Sequence, residues 1–173
     1  CYQALRLDPT QGQPHLHLGL MAVRDNRFDE AGRFLIRATE LEPDRVDFWE
    51  ALAQFYGWIQ QYHLALPCWE RVHALAPEPR VEPYLAYAWA LQEEHRLDEA
   101  EVQIRRALKI DPNSAKALSD LGGLHEERGD FAEAEASFRA AIAADPSYPA
   151  PRARLAQLLL GRLPDADFDA LRA

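Results

Sequence analysis

The sequence predicts an all-α chain built as a solenoid of antiparallel helix pairs. Three observations carry that reading: a 34-residue period, small and large residues that recur together at fixed places within it, and a narrow apolar stripe at helical spacing in the first half of each unit.

The period is marked by prolines that follow an acidic or small residue: Pro9, Pro43, Pro77, Pro112 and Pro146, at intervals of 34, 34, 35 and 34. With this proline set as position 32, full units begin at Gly12, Val46, Val81 and Ala115, and a fifth begins at Pro149. The predicted organisation is therefore the end of a preceding unit over residues 1–11, four units over 12–45, 46–80, 81–114 and 115–148, and a partial unit or capping helix over 149–173. Position 8 reads Gly19, Ala53, Ala88, Gly122 and Ala156, and position 20 reads Ala31, Ala65, Ala100 and Ala134. Position 24 is large in each full unit: Leu35, Trp69, Ile104 and Phe138. Small residues at 8 and 20 let two helix backbones approach closely, and position 24 fills the space beside them. Positions 4, 7, 8 and 11 fall on one stripe of the first helix at 100° per residue.

Local signals agree with two helices per unit. Pro14, Pro83 and Pro151 stand at position 3, in the first helical turn, where a missing N–H is not needed. Asn26 and Gly129 suit a left-handed cap between the helices, whereas Gln60 and His95 at the same position do so less naturally. Pro67, inside a predicted second helix, is expected to produce a local irregularity. The chain starts and stops out of phase with the period, and Phe168 occupies position 20, so a piece of a longer protein is expected.

These paired small and large positions resemble the tetratricopeptide repeat across nearly the whole chain, most closely in the fourth unit with Leu118, Leu121, Gly122, Ala134, Phe138, Ala141 and Pro146. The resemblance implies a right-handed α-solenoid, the tetratricopeptide superhelix, whose usual task is to hold another protein.

Composition narrows the function further. The 173 residues carry a net charge of −9 with a pI near 5.1, and lysine occurs only at Lys109 and Lys116. That balance argues against nucleic-acid binding. The longest apolar runs are too short to cross a bilayer, so no membrane insertion is expected. Cys1 and Cys68 form no CxxC spacing, which favours a reducing, cytoplasmic compartment.

No motif for catalysis is present: there is no phosphate-binding glycine loop, no HExxH and no GxSxG. His15 and His17 point apart on a helix, so a shared metal is not expected. His125, at core position 11, reads as a packed, hydrogen-bonded residue. Asp165, Asp167 and Asp169 lack the glycine and distal glutamate of a calcium loop and read as an acidic helix start. The chain is expected to be no enzyme and to hold no cofactor and no metal.

The remaining stripe of the first helices, positions 2, 5, 9, 12 and 13, is the candidate site. In the resembled family it lines the concave groove that grips partners. It contributes Arg24 from the first unit, Asp47, Glu50, Gln54 and Trp58 from the second, Glu82, Leu85, Trp89 and Glu93 from the third, and Lys116, Glu126 and Glu127 from the fourth. Trp58 and Trp89 have two readings: partner anchors on an open face, or packing between neighbouring units. The carboxylate clamp of co-chaperones is absent, since Leu16, Leu20, Glu82 and Ala86 occupy its positions, and so is an asparagine ladder at position 6. The expected function is a scaffold that binds a protein or peptide segment, apolar with basic flanks. The alternatives are the non-catalytic arm of a larger enzyme, such as the bacterial glycosyltransferases and sulfotransferases with such arms, or a self-associating solenoid.

Overall fold

The computed structural model of the chain describes residues 11–76 and 78–161. The described residues form nine α-helices and no strands: α1 Gly12–Arg24, α2 Phe28–Leu41, α3 Val46–Trp58, α4 Tyr62–Leu75, α5 Val81–Glu93, α6 Leu97–Ile110, α7 Ala115–Arg128, α8 Phe131–Ala144 and α9 Ala150–Leu160. They fall into two compact units divided between Arg96 and Leu97.

In the first unit α1 pairs with α2 and α3 with α4. Both pairs are closed by the small residues of the period. Gly19 lies so near α2 that a Cβ there would stand 2.7 Å from Leu35 Cγ. Ala53 and Ala65 are fully buried beside Trp69. Neighbouring pairs stack: α2 packs on α3, α4 on α5, and the first helices α1, α3 and α5 lie side by side. Gly32 faces the Phe55 ring at 3.3 Å from where its Cβ would be, and Glu42 at the end of α2 accepts a 2.6 Å hydrogen bond from the Gly12 backbone.

In the second unit α7 packs against α6, α8 and α9. Gly122 meets the face of Phe138, which is buried with Ala134 and Leu158. Asp111 and Asp145, each preceding a proline of the period, turn their carboxylates onto the backbone N–H two residues on, at 3.0 and 2.8 Å, which closes the loops after α6 and α8.

The turns after α1, α3, α5 and α7 are alike. Arg27, Gln61, Arg96 and Asp130 each donate to the carbonyl five residues back, at 2.8–2.9 Å, and the preceding residue donates to the carbonyl three back. This is the Schellman arrangement, which needs one left-handed residue. Gly129 takes it at φ 83°, but so do Asn26 at 58°, Gln60 at 60° and His95 at 57°. The turn geometry therefore overrides the residue preference that made Gln60 and His95 look unsuited.

The irregularity expected at Pro67 does not interrupt α4, which runs unbroken from Tyr62 to Leu75. Pro67 and His63 are both on the exposed side, so the carbonyl that loses its donor is left to water. A second expectation fails in part at His125: its Nδ1 is buried with no hydrogen-bond partner among the described residues.

Candidate functional site

Within the first unit, the stripe read as open is divided in two by the side-by-side stacking of α1, α3 and α5. Positions 5 and 12 turn towards the neighbouring helix: Leu16, Leu85 and Gly57 are buried. Leu85, at 2% exposure, is therefore not part of an open face, and its assignment to the groove is corrected. Positions 2, 9 and 13 remain exposed: Asp47, Gln54 and Trp58 on α3, Glu82, Trp89 and Glu93 on α5, and Arg24 on α1.

Trp58 and Trp89 pack between neighbouring helix pairs and still reach the open face. Trp58 meets Phe28 of α2 edge-on, with ring centroids 4.9 Å apart, and Trp89 meets Tyr62 of α4 in the same way at 5.0 Å. Each contact crosses from one helix pair to the next. Yet the indoles stay 53% and 46% exposed. Between them α3 and α5 leave a cleft of about 270 Å3. Its floor consists of Ala53, Gly57, Ala86 and Ala90, with the Trp69 ring reaching it from α4. Gly57 matters here: a Cβ would come within 3.4 Å of Trp89, so the indole lies directly against the α3 backbone. Gln54 is the polar residue of the lining, and its amide donates to Glu50 at 3.5 Å.

Arginines already engage part of the surrounding acidity. Arg45 holds Asp47 at 2.7 and 2.9 Å, and that hydrogen bond keeps the Asp47 carboxyl below the usual carboxylate range. Arg80 holds Glu50 at 2.6 Å, so Glu50 does not offer a free charge beside Trp89. Glu82 and Glu93 are exposed and form no ion pair among the described residues. Glu93 lies near the Tyr62 hydroxyl, whose pKa is raised by burial and by that charge. Arg24, 73% exposed, rests loosely on Asp25 at 3.4 Å.

In the second unit Lys116 and Glu127 are exposed on α7, while Glu126 is held by Arg154 of α9 at 2.7 and 3.0 Å. Asp120, one turn from Lys116, is half-buried, and burial pushes its carboxyl up to about 6 against the opposing pull of Lys116 and Arg154. Neither Asp120 nor Arg154 stands out in the sequence. Phe28 and Tyr62 do have a signal, since both occupy position 17 of their units.

Among the described residues no three His, Cys, Asp or Glu are grouped to hold a metal ion, and no helix is long and apolar enough to cross a membrane. His15 bonds the Gln11 carbonyl at 2.9 Å. Asp165, Asp167 and Asp169 lie outside the described residues.

The tetratricopeptide-repeat family model matches residues 85–149. Protein O-mannosyl-transferase TMTC1 of Mus musculus is 24% identical over 155 residues, which are 88% of this chain and 16% of that protein. Its Homo sapiens form is 24% identical over 159 residues, 90% of this chain and 18% of that protein. The chain thus spans less than a fifth of the length of these relatives. Among solved structures, that of a MamA protein has a TM-score of 0.78 at 18% identity, over 87% of this chain and 82% of that one. YrrB, described as a TPR protein with an unusual peptide-binding site, has a TM-score of 0.74 at 16% identity, over 93% of this chain and 82% of that one. These two likenesses speak for the fold, a helical solenoid. The 34-residue pairing of small and large positions runs well beyond the matched segment, and it is the tetratricopeptide repeat that residues 85–149 resemble.

Proposed function

We propose that the chain is a protein-interaction scaffold and that the Trp58–Trp89 cleft is the anchor point for a partner segment. The observation that carries this reading is the state of the two indoles. Each is fixed in orientation by an aromatic brace, and each still exposes about half its surface around an apolar floor. Aromatic groups held rigid lose little freedom on binding, and tryptophan is a frequent interface anchor. Glu82 and Glu93, exposed beside the cleft, favour basic residues next to an apolar anchor. The peptide-binding site named for YrrB supports a peptide-like occupant. The net charge of −9 speaks against nucleic acid. Cys68 is a free, buried thiol, in keeping with a reducing, cytoplasmic setting.

A random-peptide display library panned on the chain tests this. Enriched peptides should carry a bulky apolar residue beside Lys or Arg. Trp89→Ala should weaken them about thirtyfold or more, the loss of roughly 2 kcal/mol typical of a central anchor, with the helical circular dichroism retained. Enrichment without that pattern, or unchanged affinity in a folded Trp89→Ala chain, would move the site elsewhere. The second reading is a non-catalytic arm of a larger enzyme, favoured by the likeness to a segment of a transferase several times longer.

A further inference from the structure

The second unit carries a polar arrangement that the aromatic cleft does not use. Asp120 and Glu126 stand on α7 one turn to either side of Gly123, and Arg154 reaches over that glycine from α9. A Cβ on Gly123 would come within 3.3 Å of Arg154 Nη2, so the guanidinium rests on the helix surface that the glycine leaves bare. Its centre lies 5.8 Å from the Phe138 ring below. Nε and Nη2 both donate to the same oxygen of Glu126, at 3.0 and 2.7 Å. Nη1 makes no hydrogen bond among the described residues, and Asp120 makes neither a hydrogen bond nor an ion pair among them.

A half-buried carboxylate without a donor is costly, and one beside an unspent donor that it does not touch is unusual. Asp120 and Arg154 are close enough to act on each other electrostatically, yet they stop short of contact. The gap calls for a group that presents an N–H to one side and a carbonyl oxygen to the other. We infer that Asp120 and Arg154, set about Gly123, form a cradle for a primary carboxamide, the side chain of an asparagine or glutamine on a partner segment. Asp120 accepts from the amide N–H, and Arg154 Nη1 donates to the amide oxygen.

The surrounding charge selects this ligand over its rivals. Lys116 and Arg154 balance Asp120 and Glu126. With the charges balanced, the surface offers no net attraction to an incoming cation or anion, while a neutral carboxamide can use one donor and one acceptor at once. A trans peptide group points its N–H and C=O in opposite directions and cannot satisfy both residues from one edge. The cradle also depends on pH. Lys116 on α7 and Arg154 on α9 are the charges that pull on Asp120. Near pH 5 Asp120 is protonated and presents a donor of its own to the amide N–H.

The inference takes from the scaffold reading only that a partner segment supplies the side chain, and it is tested without one. Isotope-labelled chain is titrated at pH 7.5 with N-acetyl-glutamine methylamide, with the glutamate and methionine counterparts as controls. The glutamine probe should shift the backbone signals of Asp120 and Gly123 and the Nε signal of Arg154, saturably. The controls should not. Binding should fall about tenfold at pH 5 and in Arg154→Lys, as expected for loss of one charge-assisted hydrogen bond. Asp120→Asn should do the same at both pH values, with an undisturbed Gly122 signal reporting that α7 is intact. In Trp89→Ala the response should persist, which separates this site from the aromatic cleft. Equal shifts with all three probes, or none with glutamine because the gap holds only water, overturns the inference.

Discussion

Gly122 and Gly123 are neighbours on α7, and the same substitution should act on them with opposite sign. An alanine Cβ at 122 would stand 2.6 Å from Cδ1 and Cε1 of Phe138 and 3.1 Å from Cγ. Carbon atoms normally rest about 3.5–4.0 Å apart, so ring or helix must move by about 1 Å. The ring has nowhere to go, because it is fully buried with Ala134 and Leu158. Overpacking of this kind costs about 1–3 kcal/mol, and the better helix propensity of alanine offsets about 1 kcal/mol. Gly122→Ala should therefore lose about 1 kcal/mol. At 123 the Cβ meets only the guanidinium end of Arg154, at 3.3 Å, which can swing aside. Propensity then dominates, and Gly123→Ala should gain about 0.5–1 kcal/mol. For a chain of this size 1 kcal/mol is worth about 2–4 °C in melting midpoint. A repeat chain does not always melt as one unit, so exchange of the α7 amides is the sharper assay. Phe138→Leu should recover part of the loss at 122, with a coupling of about 0.5 kcal/mol or more, and should leave the effect at 123 unchanged. If the two alanines shift stability in the same direction by similar amounts, the close approach of α7 and α8 at Gly122 is wrong.

Two further outcomes follow from the backbone and from Asp120. Gln60→Gly and His95→Gly should each raise the urea midpoint, by about 0.5–1 kcal/mol in stability, because the left-handed conformation costs an L-residue about 1–2 kcal/mol and glycine nothing; a loss at both would refute the turn assignment. The carboxyl of Asp120 titrates near 6 when folded against 3.8 when free. The folded state therefore holds this proton more tightly, and stability is lost as pH rises from about 4 to 6 and stays lost above. The span is worth about 3 kcal/mol at most. Asp120→Asn should thus be more stable than the parent at pH 7.5 by up to that amount and no different below about pH 4; a variant less stable at pH 7.5 would show that the charge is well solvated.

The pairing of Gly19 with Leu35 and of Gly122 with Phe138 could be read from the period alone, because close helix contact restricts which side chains fit. The site was only partly legible. A helical wheel separates an apolar stripe from the rest but does not say which open side meets the next helix, and for that reason it assigns Leu85 to the groove although the residue is buried. The pairing of Arg80 with Glu50 joins residues 30 apart, as does the brace of Phe28 on Trp58. Both arise from stacking between helix pairs; position 17 marks Phe28 within its unit but does not say which neighbour it meets. Gln60 and His95 failed as signals for a different reason: a three-residue turn dictates its own backbone, and a strain of about 1 kcal/mol is small beside the packing of two helices.

The interval of 35 between Pro77 and Pro112 has a physical address. Every first helix of the first unit has 13 residues, and α2, α4 and α6 each have 14; the joint from α4 to α5 spans five residues where those after α2 and α6 span four. The spare residue has gone where rotation does not matter. Inside a helix, or in a turn locked by two backbone hydrogen bonds, one more residue would swing every following side chain by about 100° and turn the indoles away from their cleft. In the joint it changes only the path of the connection, which borders an open hollow of about 780 Å3 between Asp44 and Arg80. Such a joint is where a chain of this kind can lengthen by accident or by engineering, and a tag or fluorophore grafted between Glu78 and Pro79 would leave the two indoles in phase.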